Sequence, residues 1–303
     1  MSDERRLPPV TALASRLLWH RDNRGPRRRQ PVVVLLGPTG AGKSWTLRAV
    51  ADSCGLDVVH AGYDFQRATP ADTMEVLAQL AFDLSRKWSQ RGRPRFARLA
   101  AGLIAVQTPL AGLHHRQAKE QLRAEFAKYT GRQRPSWIAE ALRTLVDAAV
   151  DARILDSAVG TLLKGSLPEL VQAAGRESLR RAIRWHGDHP DPRADDPYDA
   201  LLDLNRLPAA GRDVWLLAAF LADVRESQSR LAAADLGSKC RCGRATRPRH
   251  SHNWVLLLDN VDHPDGERFL RDLNLARDRA LAHDASAHDP LLVLATSGRW
   301  NPL

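Results

Sequence analysis

Residues 37–44 of this 303-residue chain read GPTGAGKS, and that spacing of glycine, lysine and serine suits the cradling of a phosphate chain. The run from Gly37 through Pro38, Thr39, Gly40, Ala41, Gly42 and Lys43 to Ser44 satisfies G-x-x-x-x-G-K-[ST] at every position. Gly40 and Gly42 permit a loop whose backbone N–H groups point inward without Cβ clashes. A helix starting near Gly42 aims the positive end of its dipole at the same charge. Lys43 is placed to reach the β- and γ-phosphates, and the Ser44 hydroxyl to bind Mg²⁺. Trp45 follows directly and is counted with the cofactor-binding set. The expected ligands are ATP and Mg²⁺.

Two further segments carry candidate chemistry. In VLLLDNVD, 255–262, Asp259 ends an apolar run. A carboxylate at the end of a buried strand beside the loop strand can hold the water shell of Mg²⁺. The alternative is a helix cap, a task Asp262 or Asp265 would serve equally well. In LLVLATSGR, 291–299, Thr296, Ser297 and Arg299 are candidates to touch the γ-phosphate or the attacking water. The alternative there is an ordinary strand-to-loop transition. Cys240-x-Cys242 and His250-x-His252 have zinc-ligand side chains, but C-x-C-x₇-H-x-H is not a usual finger spacing. That stretch reads as a basic loop without zinc.

These residues need elements to position them. PVVVLL, 31–36, is a continuous apolar run, as in a strand buried on both faces of a parallel sheet. A helix follows over 43–53, with Gly55 placed to end it. LDVVH, 56–60, reads as a second strand, closed by a turn around Gly62. Thr69 and Pro70 read as the N-cap and first position of a helix reaching about Trp88, with Asp72 in its first turn. From 92 to 205 only helical periodicity is present, broken at 131–135, 165–168 and 187–197. The uncharged stretch Leu99 to Leu113 is too short for a membrane span and reads as a buried helix. A long helix over 214–231, a strand over 254–258, a helix over 267–281 and a strand over 291–295 complete the pattern. The fold class is α/β, a parallel sheet with a large all-helical insertion. The parts are a basic lead-in over 1–30 with Leu13, Leu17 and Leu18 on a short helix, the first sheet portion over 31–91, the insertion over 92–205, and the second sheet portion over 206–303. Leu303 follows Ala295 by eight residues, so a continuation carrying a lid and an effector domain or partner-binding region is expected.

Taken together, GPTGAGKS, VLLLDNVD and LVLATSGR resemble the Walker A, Walker B and sensor 1 elements of additional-strand P-loop ATPases, the AAA+ and STAND proteins, NACHT-type members included. The resemblance covers about 31–88 and 211–300. It implies a P-loop NTPase core with Asp259, Asp262, Thr296 and Arg299 as catalytic candidates, and Ser44 and Asp259 as Mg²⁺ ligands. Asp262 holds the place where STAND proteins carry a second acid. Asn260 stands where AAA+ enzymes carry the water-polarising Glu, and His263 where NACHT-type proteins often have Glu. The implied function is an ATP-dependent molecular switch with slow or partner-dependent hydrolysis. The alternatives are a nucleic-acid-associated motor or loader, and a nucleotide-binding scaffold that does not hydrolyse.

The bulk composition narrows the setting. Net charge is +10, and the clustered basic residues are Arg27 to Arg29 and the stretch from Lys239 to Arg249. A nucleic-acid partner is the weaker reading of that charge, since most of it is scattered. Arg far outnumbers Lys, the pattern of a GC-rich bacterial coding sequence. Three Cys make no disulfide framework, and the N-terminus has no apolar signal segment. The expected compartment is the cytoplasm.

Overall fold

The computed structural model describes residues 19–20, 30–55, 58–67, 72–86, 88, 93–130, 167, 170–171, 175–189, 194–234, 251–283 and 289–299. In chain order the elements begin with β1 (Trp19–His20), β2 (Val32–Leu36), α1 (Lys43–Cys54), β3 (His60–Asp64), α2 (Thr73–Leu84), α3 (Ala97–Gln107) and α4 (His115–Thr130). They continue with α5 (Arg176–Asp188), α6 (Pro197–Arg206), α7 (Ala209–Ala234), β4 (Ser251–His252), β5 (Trp254–Asp259), α8 (Pro264–His283) and β6 (Leu291–Ser297). The chain divides into two compact units. One comprises Met1–Ala71, Arg86–Pro94 and Val224–Leu303; the other comprises Asp72–Ser85 and Arg95–Asp223.

The first unit holds a four-stranded, all-parallel sheet in the order β2-β6-β5-β3. The central strands β5 and β6 are apolar because both their faces are covered. The edge strands β2 and β3 are only partly buried, β2 against the expectation of a strand buried on both faces. Every residue of β6 is buried, and β5 is buried up to Leu258. On one face, Leu47, Val50 and Cys54 of α1 pack on Val33, Leu35, Val255, Leu257, Leu292 and Leu294. Burial pushes the Cys54 thiol up to about 12, so it serves as a small apolar side chain. At the amino end of β6, the buried Arg277 donates to the Leu291 carbonyl and pairs with Asp289 through Nε at 3.0 Å. Asp289 in turn accepts from Leu291 N at 3.1 Å. The short strands β1 and β4 pair antiparallel beside this sheet in sequence only, as a separate two-stranded ladder.

Two expectations about the early elements are corrected. The second strand is His60–Asp64, not 56–60. Val58 and Val59 are buried but lead into it, Val59 accepting from Val255 N at 3.0 Å. Gly62, expected in a turn, is paired with Leu257 in mid-strand. Pairing partners outweighed the β-branched propensity of the two valines. The following helix starts at Thr73, with Asp72 as N-cap accepting from Met74 N at 3.2 Å, and ends at Leu84. Thr69 and Pro70 lie outside the described residues.

In the second unit every described element is helical. α3 is its most buried element, with Leu99, Ala100, Ala101, Leu103 and Ala105 at 0% exposure. It packs against α5 and α6. Gly102 lets α7 come equally close, since a Cβ there falls 2.6 Å from Leu216 Cδ2. Asp223, buried in α7, takes the Leu99 amide at 2.9 Å and Arg98 Nη1 at 3.0 Å, which satisfies an orphan donor of the α3 first turn. The break expected over 187–197 is narrower. α5 runs to Asp188, and α6 starts at Pro197 with Asp196 as N-cap. No helix among the described residues is long and apolar enough to cross a membrane. Leu13, Leu17, Leu18, Arg27 to Arg29, Cys240, Cys242 and His250 lie outside the described residues.

Candidate functional site

The candidate site lies in the first unit, at the carboxyl edge of the parallel sheet. β2 ends at Leu36, and Gly37 N still donates to Ser297 O of β6 at 3.3 Å, so the loop leaves the sheet anchored. A Pro38 O to Ala41 N bond of 3.2 Å then closes a tight turn. Gly40 and Gly42 have φ of 82° and 80°, values that a side chain strains. At Gly37 the constraint is space, since a Cβ there meets Ala41 Cβ at 3.3 Å. Pro38, Thr39, Gly40, Ala41 and Gly42 are exposed.

α1 starts at once after Gly42, with no side-chain cap and no acid in its first turn. Its first N–H groups and its dipole therefore face the loop without a competing carboxylate. Lys43 Nζ lies over the same loop, donating to Gly37 O at 2.6 Å and Pro38 O at 2.9 Å. Trp45, 61% exposed, stands on the first turn of the helix. A glycine turn, an uncapped helix start and an ammonium in one place fit a polyphosphate.

The acid side of the edge follows from strand parity. Leu257 and Leu294 face α1, so Asp259 and Thr296, two residues on, share that face. Asp64 is paired with Asp259, and Leu35 with Thr296. The last α1-facing residues of the four strands are thus Leu35, Thr296, Asp259 and Asp64, in sheet order. The buried Thr296 hydroxyl donates to Asp259 Oδ1. Among the described residues Asp259 makes no other side-chain bond, and it is half-buried. Asp259 was expected on a strand beside β2, but β6 lies between the two. That interposed strand is what carries Thr296 to the carboxylate.

The remaining candidates turn elsewhere. Asp262 lies against Gly298, where a Cβ would meet its Oδ2 at 3.0 Å. Arg299 donates to Glu267 at 2.8 Å and to the Asp262 carbonyl at 3.2 Å. Ser297 Oγ bonds the Arg299 backbone, closing a turn after β6. His263 Nδ1 accepts from Asp265 N at 3.4 Å, at the start of α8. Neither Asp262 nor Asp265 is the residue before that helix; His263 is.

Comparison with family models, curated proteins and solved structures returned no match. The site's own geometry therefore carries the functional reading.

One polar residue of the edge went unread in the sequence. Asp64 Oδ1 accepts from Asn260 Nδ2 at 2.8 Å and from Gln66 N at 3.0 Å, and Oδ2 pairs with Arg67 Nε at 3.1 Å. It was hidden because the strand was placed four residues early. Asn260 itself has φ 57°, the one non-glycine positive φ among the described residues. Asn tolerates that conformation better than most residues. Its N–H donates to Thr296 Oγ1 at 2.9 Å, so the turn and the acid share one hydroxyl.

Proposed function

We propose that this chain is an ATP-binding P-loop NTPase of the STAND/AAA+ kind, acting as a nucleotide-dependent switch with slow or partner-dependent hydrolysis. The observation that supports it most is the glycine-rich loop into an uncapped α1 and the Asp259–Thr296 pair at the same edge of one parallel sheet. Ligands of open α/β sheets bind outside the carboxyl ends of the strands. β6, interposed between β2 and β5, is an additional strand in the sense of the resembled family's name.

In this reading the loop amides of 37–44 hold the phosphates, and Lys43 exchanges its two carbonyl acceptors for phosphate oxygens. Ser44 and Asp259 offer oxygen donors, the chemistry Mg²⁺ prefers. When bound, Mg²⁺ neutralises charge on the phosphates. The Thr296 hydroxyl keeps Asp259 oriented. The absence of an acid at position 260 favours a slow cycle, because the place directly after Asp259 then holds no carboxylate to polarise the water. Calorimetric titration tests the reading. ATP is expected to bind in a Mg²⁺-dependent manner, and single-turnover hydrolysis to run far below the enzyme median of about 10 s⁻¹. No ATP binding, or turnover at tens per second lost in Lys43→Ala, overturns the switch.

A further inference from the structure

We propose that Asp64, at the end of β3, supplies the carboxylate that positions and deprotonates the attacking water, with Asn260 as the group that holds it. This rests on the ATP reading above. The place directly after Asp259 holds an amide, and an amide takes no proton from water. That amide is not idle. Asn260 Nδ2 donates to Asp64 Oδ1 at 2.8 Å, while its backbone N–H is fixed on Thr296 Oγ1 at 2.9 Å. The left-handed turn at Asn260 is thereby tied at both ends, to β6 and to β3.

Asp64 has what the position after Asp259 lacks. It is the paired neighbour of Asp259, one strand spacing away, roughly 4.8 Å. By strand parity both carboxylates lie on the face that carries α1 and the glycine loop. The Asp64 side chain keeps 26% exposure, so water reaches it. Its charged partner, Arg67, is 84% exposed, and such a pair is weakly held. The Gln66 amide bond at 3.0 Å leaves the carboxylate's second oxygen for water once Arg67 yields. Of the other acids near the edge, Asp265 is paired with Arg268 at 2.8 Å, and Asp262, three residues past Asp259, lies against Gly298 in the turn after β6.

The step balances with water and the triphosphate alone. Asp64 accepts one water proton as the water oxygen bonds to the terminal phosphorus. The bond from that phosphorus to the bridging oxygen breaks, and the diphosphate leaves with the electron pair. Asp64 then returns the proton to the phosphate product.

The test uses the full chain with Mg²⁺ and ATP, reading affinity by calorimetry and chemistry by single turnover. Asp64→Asn keeps the side-chain shape and an acceptor for Asn260, so the fold is retained. Its hydrolysis rate is expected to fall by about 100-fold or more, the usual contribution of a positioned base. Its affinity for MgATP is expected to stay within about threefold, separating turnover from binding. Asp64→Glu is expected to recover part of the rate, and Asn260→Ala to lose about tenfold by freeing the carboxylate. An unchanged rate in Asp64→Asn, a loss of ATP affinity in that variant, or no recovery in Asp64→Glu overturns the assignment. Wild-type chain that binds ATP without hydrolysing it overturns this inference alone. Wild-type chain that binds no ATP overturns the nucleotide reading beneath it.

Discussion

The sheet unit and the helical unit use polar side chains in opposite ways. At the sheet edge, Asp64, Asp259 and Asn260 are half-exposed and share few partners. In the helical unit, Asp223 and His186 are buried, and their hydrogen bonds go to protein groups. Part-exposed groups with spare bonding capacity can exchange partners for a ligand. Buried, satisfied groups are costly to disturb and hold helices in register. Substitutions in the first set should therefore change binding or turnover at constant stability, and those in the second should change stability.

The largest expected effect is at Lys43. Lys43→Ala removes the one full positive charge of the glycine loop, and ATP affinity should fall by at least about 100-fold, charge-assisted bonds being the strong ones. Thermal unfolding should shift little, because the ammonium bonds only two loop carbonyls. Unchanged affinity by calorimetry breaks the comparison at its first term.

Next is Asp223→Ala, which removes the buried acceptor of Leu99 N and the partner of Arg98. Breaking a buried pair by deleting one member costs about 3–5 kcal/mol. Urea unfolding should show a loss of that order. A loss under 1 kcal/mol, roughly the worth of a surface pair, sinks the view that this contact organises the helices.

Acidification gives an intermediate effect. Trp215 Nε1 donates to His186 Nδ1 at 3.1 Å, so the ring's proton sits on Nε2, which donates to Arg98 O at 2.9 Å. Burial, opposed by the bond to Arg98 O and helped by the nearby His189 and Arg98 side chains, pushes this histidine down to about 3. The unfolded chain takes up a proton below about pH 6.5 that the fold refuses. Stability is therefore expected to hold above that pH and to fall as the pH drops toward 3, by about 1.4 kcal/mol per unit. Denaturation from pH 7 to 5 should show a loss of about 2 kcal/mol, absent in His186→Gln, by the same linkage. Equal pH dependence in that variant removes His186 as its source.

The two units also differed in what their sequences disclosed. Strands 254–259 and 291–297 were legible because a strand buried on both faces leaves a bare apolar run; 32–36 shows the same run although, at the sheet edge, it is only partly buried. The glycine loop was legible because its spacing is local and tied to backbone angles, now seen at Gly40 and Gly42. β3 was misplaced because HAGYD carries no such run, and its pairing with β5 spans nearly two hundred residues. With it went Asp64, whose partner Asn260 no local pattern connects to it. The helices of the second unit were legible as helices, yet not their contacts. Nothing near Gly102 announces that Leu216 comes against it, nor near His186 that Trp215 will fix its tautomer.

The smallest expected effect lies where the two kinds of polar group meet in one residue. Arg299 was read as a candidate for the γ-phosphate, and it is engaged with Glu267 of α8 at 2.8 Å. If that pair behaved like Asp223 and Arg98, Glu267→Gln would cost several kcal/mol. It should not, because the Arg299 side chain is 63% exposed and solvent screens the charges. Exposed pairs contribute about 0–1 kcal/mol. The turn after β6 also has independent supports, from Ser297 Oγ to the Arg299 backbone and from the Arg299 guanidinium to the Asp262 carbonyl. Glu267→Gln is therefore expected to lower stability by less than about 1 kcal/mol in urea unfolding. A loss near that of Asp223→Ala would place Arg299 among the buried structural groups and remove it from the set free to meet a ligand.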